Sequence, residues 1–199
     1  MTAVAETTID FAKARRAMID SQLRVSGVNA DWVLNAMARV PREDHVPADV
    51  RAHAYIDRAI PLGEGRALAA PLVYGLILSE AAPTPQDKVL LVSGSGQYLA
   101  ALLSGLAGSV DVVSAADGAA YAGRGGYSLV LIDGAIEQLP DGLAGALDEG
   151  GRIVTGLADR GVTRLATGRK VAGSVALQPL TDVGIPVLSE FAAPKRWSF

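Results

Sequence analysis

The chain has 199 residues, half of them hydrophobic, and a mean hydropathy of +0.28. This apolar content is enough for a packed core and excludes an intrinsically disordered chain. The apolar runs are shorter than the roughly 20 residues of a transmembrane helix, so we expect no membrane-spanning segment. Eighteen Lys and Arg against 21 Asp and Glu give a net charge of −3, and no basic half could neutralise nucleic-acid phosphates. We therefore expect no nucleic-acid partner.

Cysteine is absent and histidine occurs twice. These counts exclude disulfides and thiolate chemistry, and they argue against a centre built from several histidines, so we expect no bound metal. The first six residues show neither the basic region nor the apolar region of an export signal. We therefore expect a cytoplasmic protein.

The N-terminal part of the chain, residues 1–82, has the pattern of a helical cap. Apolar residues at helical spacing predict a first helix that ends at Gly27, and Asn29 is the expected N-cap of a second. Pro71 suits the first turn of a third helix that runs to about Ala82.

Residues 83–199 alternate between short apolar runs and helical patterns. This alternation predicts a parallel sheet covered by helices on both faces. The tail is different, since 162–171 and 174–180 predict an antiparallel hairpin and 196–199 a last strand. The apolar runs of the parallel part are 88–92, 110–113, 127–132 and 151–155.

A glycine- and serine-rich turn, Ser93–Gly96, directly follows the first of these runs. In open parallel sheets this turn commonly contacts a nucleotide through its backbone N–H groups. The same residues also make an ordinary tight turn. The turn alone therefore does not decide between a nucleotide-binding loop and a turn without a ligand.

Several motifs in a fixed order resemble the protein-L-isoaspartate O-methyltransferase family. The resemblance implies a three-layer Rossmann-like α/β fold of the class I methyltransferases. It also implies S-adenosylmethionine as cofactor and isoaspartyl-containing proteins as partners, whose free carboxylate the family methylates. The motifs are Val40-Pro41-Arg42-Glu43, Ile60-Pro61-Leu62-Gly63, Tyr98-Leu99-Ala100-Ala101 and Gly150-Gly151-Arg152-Ile153-Val154.

The family's active-site and cofactor motifs are altered in this chain. Ala69 stands where the family's Thr-Ile-Ser-Gln-Pro segment has its serine, so no catalytic residue is assigned. The family's cofactor loop, Glu-Ile-Gly-Thr-Gly-Ser-Gly, here contains Ser93, Gly94, Ser95 and Gly96, with the glycines shifted by one position. We expect backbone strain at Ser93, Ser95 and Gln97, because the family's three glycines there allow a positive φ or a close approach.

The second strand of the predicted sheet ends in Ser114, where the family has a carboxylate that binds the ribose. Asp117, three residues on, is a candidate replacement, and Asp117-Gly118 corresponds to the pair that contacts adenine in the family. Asp133, at the end of a later strand, is a candidate ligand-binding residue or an ordinary turn residue before glycine.

Only 12 residues separate Ser114 from Tyr127, where the family has a helix and a third strand. At about 3.3 Å per residue they can cross the sheet once but cannot add both elements. We therefore predict a sheet without the third strand, with 118–126 forming a loop or short helix.

Three functional hypotheses follow. The first is an isoaspartyl methyltransferase, and the second is an inactive relative that acts as a binding or scaffold protein, for instance as a homodimer. The third is a protein that binds another nucleotide or metabolite in the altered pocket.

Overall fold

The computed structural model describes residues 9–123 and 125–194. The α-helices are α1 (Phe11–Met18), α2 (Asp31–Arg39), α3 (Pro71–Ala81), α4 (Tyr98–Leu103), α5 (Ala115–Ala119) and α6 (Asp141–Ala146). A π-helical turn, Ile19–Leu23, continues α1, and short 3-10 helices span Arg24–Ser26, Arg42–His45, Ala48–His53 and Ser189–Phe191. The strands are β1 (Ile60–Gly63), β2 (Arg66–Leu68), β3 (Lys88–Ser93), β4 (Ser109–Ser114), β5 (Tyr127–Ile136), β6 (Leu147–Asp159), β7 (Val162–Val171) and β8 (Ser174–Asp182). The strand predicted at 196–199 lies outside the described residues.

The central sheet has six strands in the order β4-β3-β5-β6-β7-β8, beside a separate β1-β2 hairpin. The first four strands of this order are parallel, and β7 and β8 are antiparallel. Val89–Val92 and Leu129–Ile132 are fully buried, since helices cover both faces of these strands. The predicted α/β fold with a mostly parallel sheet is confirmed.

The predicted C-terminal hairpin is also confirmed, and its second strand extends to Asp182. Ala172 and Gly173 connect the strands with φ of 50° and 78°. A two-residue turn with both φ values positive matches the twist of paired antiparallel strands. The two turn residues therefore determine how β7 and β8 pair at this end of the sheet.

The connection between β4 and β5 contains the five-residue helix α5 and no strand in 115–123 or 125–126. The prediction that the family's third strand is missing is thus confirmed for these residues. The short connection leaves β4 at the edge of the sheet.

The N-terminal helices follow the prediction with one correction. Gly27 ends the first helical segment in a left-handed conformation, φ 89°. The expected N-cap Asn29 is wrong, because Ala30 holds that position with extended φ and ψ. The carbonyl of Ala30 accepts the first helical N–H groups, from Val33 and Leu34, and this places Asn29 one residue too early.

Two hydrophobic clusters cover the two faces of the sheet. The larger contains the buried residues of α1 to α4 together with one face of β3 and β5, including Leu91 and Leu129. The smaller contains residues of α5 and α6 together with Leu188 and Phe191, packed on the opposite face. The N-terminal helices therefore share one core with the sheet.

A buried carboxylate ties α3 to the sheet. Asp87 accepts hydrogen bonds from both terminal nitrogens of Arg152 at 2.9 and 2.8 Å and from the hydroxyl of Ser128 at 2.7 Å. The Nε of Arg152 donates to the carbonyl of Ala81 at 2.7 Å. The bonds from Arg152 hold the pKa of Asp87 well below its usual range. This network fixes the start of β3 and, through it, the position of the loop at the other end.

Candidate functional site

The carboxyl ends of β3, β4 and β5 meet at one edge of the sheet, as parallel pairing requires. This edge brings together the Ser93–Gly96 loop, Ser114 and Asp133. In open parallel sheets a ligand-binding crevice lies outside these ends. It is therefore the candidate functional site.

The loop after β3 lies against the end of β5. A Cβ at Gly94 would collide with the carbonyl oxygen of Asp133 and would lie 2.6 Å from Cδ2 of Leu188. The family pattern has threonine at this position, so the loop here lies too close to β5 for the family's side chain. Leu188 belongs to the segment after β8, and its N–H donates to the carbonyl of Ala135 at 2.9 Å.

The expected strain in this loop is not found. The positive φ of the loop, 92°, falls on Gly96, while Ser93, Ser95 and Gln97 keep negative φ. The reason is the one-position shift of the glycines, which moves the left-handed residue with them. The hydroxyl of Ser93 donates to the carbonyl of Gly96 and closes the turn.

A chain of buried side chains joins the loop to α3 and β5. Ser95 donates its hydroxyl hydrogen to Asp133, so the hydroxyl of Tyr74, 2.8 Å from Ser95, acts as donor to the serine oxygen. Asp133 is 4% exposed, and burial raises its pKa to about 6. In this structure the Asp133 carboxyl group therefore faces Ser95 inside the protein. The sequence reasoning missed this link, because no local pattern connects residues in different elements.

A buried arginine holds the segment that contains Ala69. Arg42 is fully buried, and its Nε donates to the carbonyl of Ala54 at 2.7 Å while Nη2 donates to the carbonyl of Ala69. Its guanidinium lies over the rings of Tyr74 and Tyr98, 5.5 and 5.2 Å from their centroids. Ala69, at the position of the family's serine, is thus fixed through its backbone.

A second polar cluster lies beside this arginine. Arg15 contacts Glu43 at 2.8 Å and donates from Nε to the hydroxyl of Tyr55 at 2.7 Å. Tyr55 donates to the other oxygen of Glu43, and burial is the main cause that raises the pKa of Tyr55. Glu43 therefore pairs with a helix 28 residues away, which the sequence did not indicate.

Ser114 and Asp117 form a capping pair at the end of β4. The hydroxyl of Ser114 donates to Oδ2 of Asp117 at 2.6 Å and accepts from the N–H of Asp117 at 3.1 Å. Both residues are exposed. Gly118 is buried against the side chain of Val92, which leaves no space for a Cβ. The structure thus places one exposed carboxylate at the end of this strand.

A groove of 620 Å³ runs beside the Ala69 segment. It lies between the loop before β1, the start of α3 and the segment after β8. Most of its lining is apolar, with one acidic and one basic residue at the side. The lining residues are Asp57, Arg58, Ala59, Ala67, Ala70, Leu72, Val183, Gly184, Ile185 and Pro186.

Residues 9–123 and 125–194 contain neither a membrane-spanning helix nor a metal-binding cluster. No helix there combines the length and apolar character needed to cross a bilayer. The same part of the chain contains no cluster of three or more His, Asp or Glu side chains that could hold a metal ion.

Comparisons with known proteins point to one family. The family profile of protein-L-isoaspartate(D-aspartate) O-methyltransferases matches residues 13–117. A protein-L-isoaspartate O-methyltransferase of Koribacter versatilis is 32% identical over 197 residues, covering 86% of this chain and 89% of that protein. One of Roseiflexus castenholzii is 31% identical, covering 88% and 91%.

Two solved structures share the fold. A Plasmodium falciparum chain described as a protein-L-isoaspartate O-methyltransferase, in complex with S-adenosyl-L-homocysteine, aligns with a TM-score of 0.70 over 88% of this chain and 98% of that one. A second protein-L-isoaspartate O-methyltransferase aligns with a TM-score of 0.71 over 88% of this chain and 66% of that chain. Both are 15% identical to this chain.

Proposed function

The chain belongs to the protein-L-isoaspartate O-methyltransferase family, and we propose that within it this chain binds polypeptide segments without using the family's methyl donor. In the family, S-adenosylmethionine supplies the methyl group. The residues of this chain at the corresponding edge of the sheet do not fit that donor in the family's manner. We assign ligand binding instead to the groove beside the Ala69 segment.

The close contact at Gly94 carries the proposal. The carbonyl of Asp133 and the side chain of Leu188 occupy the space that a side chain at position 94 would need, and the family pattern has a threonine there. Ser95 is bonded to Asp133, so its hydroxyl is already used within the protein. A loop held against β5 in this way narrows the crevice in which a nucleoside would lie.

Substitutions around the same crevice support the proposal. Leu91 replaces the family's acidic residue in β3, and Ser114 replaces the carboxylate that accepts bonds from the ribose hydroxyls. Ala69 has no hydroxyl to contact a substrate carboxylate. By contrast, β3 and β5 keep fully buried apolar cores, so the substitutions affect the ligand-binding edge and leave the framework intact.

The groove supports a polypeptide as ligand. Its volume of 620 Å³ can hold a few side chains, and Val183 and Pro186, both half-buried, line it beside the apolar Ala70 and Leu72. Arg58 at its side offers a positive charge to a carboxylate. An isoaspartyl-containing segment is the ligand class that the family relation suggests.

Calorimetric titration with S-adenosylmethionine and with S-adenosylhomocysteine tests the loss of the donor. We expect no binding at 1 mM. A dissociation constant below about 100 µM, which corresponds to about 5.5 kcal/mol, would overturn the proposal.

Fluorescence anisotropy with a labelled isoaspartyl peptide tests the groove. We expect binding without any methyl donor, and at least tenfold weaker binding by Ala70→Trp, which fills the groove. Ala116→Trp, an exposed alanine on α5, is the matched control and should bind as the wild type does. Equal binding by both variants would place the ligand outside the groove, and no binding by the wild type would overturn the proposed peptide binding.

The pair Ser114–Asp117 favours a second candidate, an active isoaspartyl methyltransferase. The exposed carboxylate of Asp117 lies at the end of β4, the strand whose end holds the ribose carboxylate in the family. Methyl transfer of this kind depends mainly on the alignment of the two reactants, so it does not require a protein nucleophile. If this candidate is correct, S-adenosylmethionine binds with a dissociation constant below about 100 µM, and Asp117→Asn weakens that binding at least tenfold. The wild-type protein then also methylates an isoaspartyl peptide.

A further inference from the structure

The two edges of the central sheet differ in how their backbone is protected from other chains. Edge strands expose unpaired N–H and C=O groups, and proteins usually block them with proline, bulges or charge. Strand β8 has Pro179 within it, and its pairing with β7 is irregular between Leu165 and Ala166. Strand β4 has neither device, and no strand in residues 9–123 or 125–194 pairs with its outer side.

The missing third strand explains why β4 is open. In the family a helix and a strand follow this position, whereas here α5 leads directly back towards β5. Val112 is 42% exposed, and Val110 and Val113 are half-buried. This short strand therefore combines an unpaired backbone with apolar side chains, which is the combination that favours strand addition.

The charge on β4 does not protect this edge. Asp111 is its one charged residue, and its carboxylate accepts a hydrogen bond from the hydroxyl of Tyr127 at 2.8 Å. The Nζ of Lys88 lies 3.8 Å from the same carboxylate. Lys88 on β3 offsets part of this charge, and Tyr127 on β5 holds the carboxylate by a hydrogen bond. A second strand can therefore approach as long as it does not place another carboxylate opposite Asp111.

We propose that β4 is the interface of a homodimer, in which the β4 strands of two copies pair antiparallel about a two-fold axis. Such an axis, perpendicular to the sheet, places residues of the same face opposite each other, so the pairing is centred on one residue. Centring on Val112 sets Val112 against Val112 of the second copy and Asp111 against Val113. The two middle residues of this six-residue strand are Asp111 and Val112, and a pairing centred on one of them leaves the fewest residues unpaired. Centring on Asp111 would bring two carboxylates face to face, so charge selects the register centred on Val112.

The oligomeric state gives the first test, in wild-type protein at 1–200 µM by analytical ultracentrifugation. We expect a concentration-dependent dimer of about twice the 20.5 kDa chain mass. Val112→Lys should be monomeric throughout, because it places two ammonium groups at the centre of the interface. Val162→Lys is the matched control, since Val162 is 41% exposed on another strand, and it should dimerise as the wild type does. A wild-type monomer at 200 µM, or a dimer that survives Val112→Lys, would overturn the proposal.

Cysteine cross-linking tests the register, since the natural chain contains no cysteine. Directly opposed residues in an antiparallel pair have Cα atoms about 4.5–5.5 Å apart, within the range that a disulfide spans. We expect Val112→Cys to form an intermolecular disulfide rapidly under copper-catalysed air oxidation and Val113→Cys to do so at least tenfold more slowly. Equal rates, or faster cross-linking of Val113→Cys, would exclude the valine-centred pairing even if a dimer exists.

Discussion

Two regions at the candidate site differ in how much space they leave for a ligand. The segment that contains Ala69 lies beside an open groove, whereas the loop after β3 lies directly against β5. On the groove side, buried Arg42 binds the carbonyls of Ala54 and Ala69 and keeps these segments in place beside an open groove. On the loop side, Ser95 and Asp133 bind each other and Gly94 lies against β5. Different side chains position these two regions, so a substitution in one can change it while the other keeps its structure. Our proposal that the chain has lost the methyl donor but retains a ligand-binding groove depends on this independence.

The largest expected effect on stability concerns Arg42, which holds the segments beside the groove. Arg42→Met leaves two buried carbonyls without their charged donor, and each such bond contributes about 1.5–3 kcal/mol. We expect a loss of about 3–5 kcal/mol in the free energy of unfolding, measured by urea denaturation. The exposed Arg16→Met is the control and should change stability by less than about 0.5 kcal/mol. A small effect of Arg42→Met would mean that packing alone holds the groove.

The second prediction concerns the pH dependence that the loop side confers. Asp133 has a pKa of about 6 in the folded protein against 3.8 for the unperturbed group, so the folded state binds the proton more tightly. Stability from this group is greatest below pH 4 and falls by about 3 kcal/mol as the pH rises to about 6 and beyond. Urea denaturation between pH 4 and pH 8 should show this fall in the wild type.

Two variants sharpen that measurement. Asp133→Asn has no proton to lose and should remove this part of the pH dependence. Ser95→Ala removes a hydroxyl that lowers the pKa of Asp133, so the fall should continue to higher pH than in the wild type. If the pH profile of Asp133→Asn matches that of the wild type, then the carboxyl group is not titrating inside the protein.

The third prediction tests whether the loop is closed. Gly94→Ala adds a methyl group directly against the Asp133 carbonyl and Leu188, and overpacking of this kind costs about 1–3 kcal/mol. Gly145→Ala on α6 is the matched control, because no atom lies within 4 Å of its added Cβ and alanine favours the helix. Chemical denaturation should show opposite signs for the two variants. A Gly94→Ala variant as stable as the wild type would indicate room in the crevice.

The smallest expected effect concerns the surface contact above the loop. Arg66 lies 3.5 Å from the carbonyl of Gly94 and 3.5 Å from Glu190. Both distances are long and Arg66 is partly exposed, so Arg66→Ala should change stability by less than about 1 kcal/mol. A larger loss in thermal denaturation would show that this contact, and not the buried pair, keeps the loop closed.

Much of the fold could be predicted from local pattern and chain length. The buried runs of β3 and β5, the ending of a helix at Gly27 and the Ala172-Gly173 turn depend on neighbouring residues only. The missing third strand follows from the reach of 12 residues, which is a limit that no packing can change. The N-cap at Asn29 failed because the exact start of a helix depends on which carbonyl accepts the first N–H groups.

The candidate site was only partly predictable, since its residues are distant in sequence. The positions of the loop and of Asp133 follow from the predicted strands that they end, and the family resemblance added Ser114. The resemblance also placed strain in the loop at residues that have ordinary backbone conformations. The bonds of Ser95 to Asp133 and of Arg42 to Ala69 join residues 38 and 27 positions apart. No periodicity carries that information.

The sequence by itself determined the succession of helices and strands, the family and the shortened connection after β4, because these depend on local propensities, ordered motifs and chain length. Only the tertiary structure decided that Gly94 lies against β5, that Asp133 faces inward and that the two sheet edges are protected differently. These features arise when separate elements pack together, since burial and hydrogen-bond partners exist only once the elements are in contact.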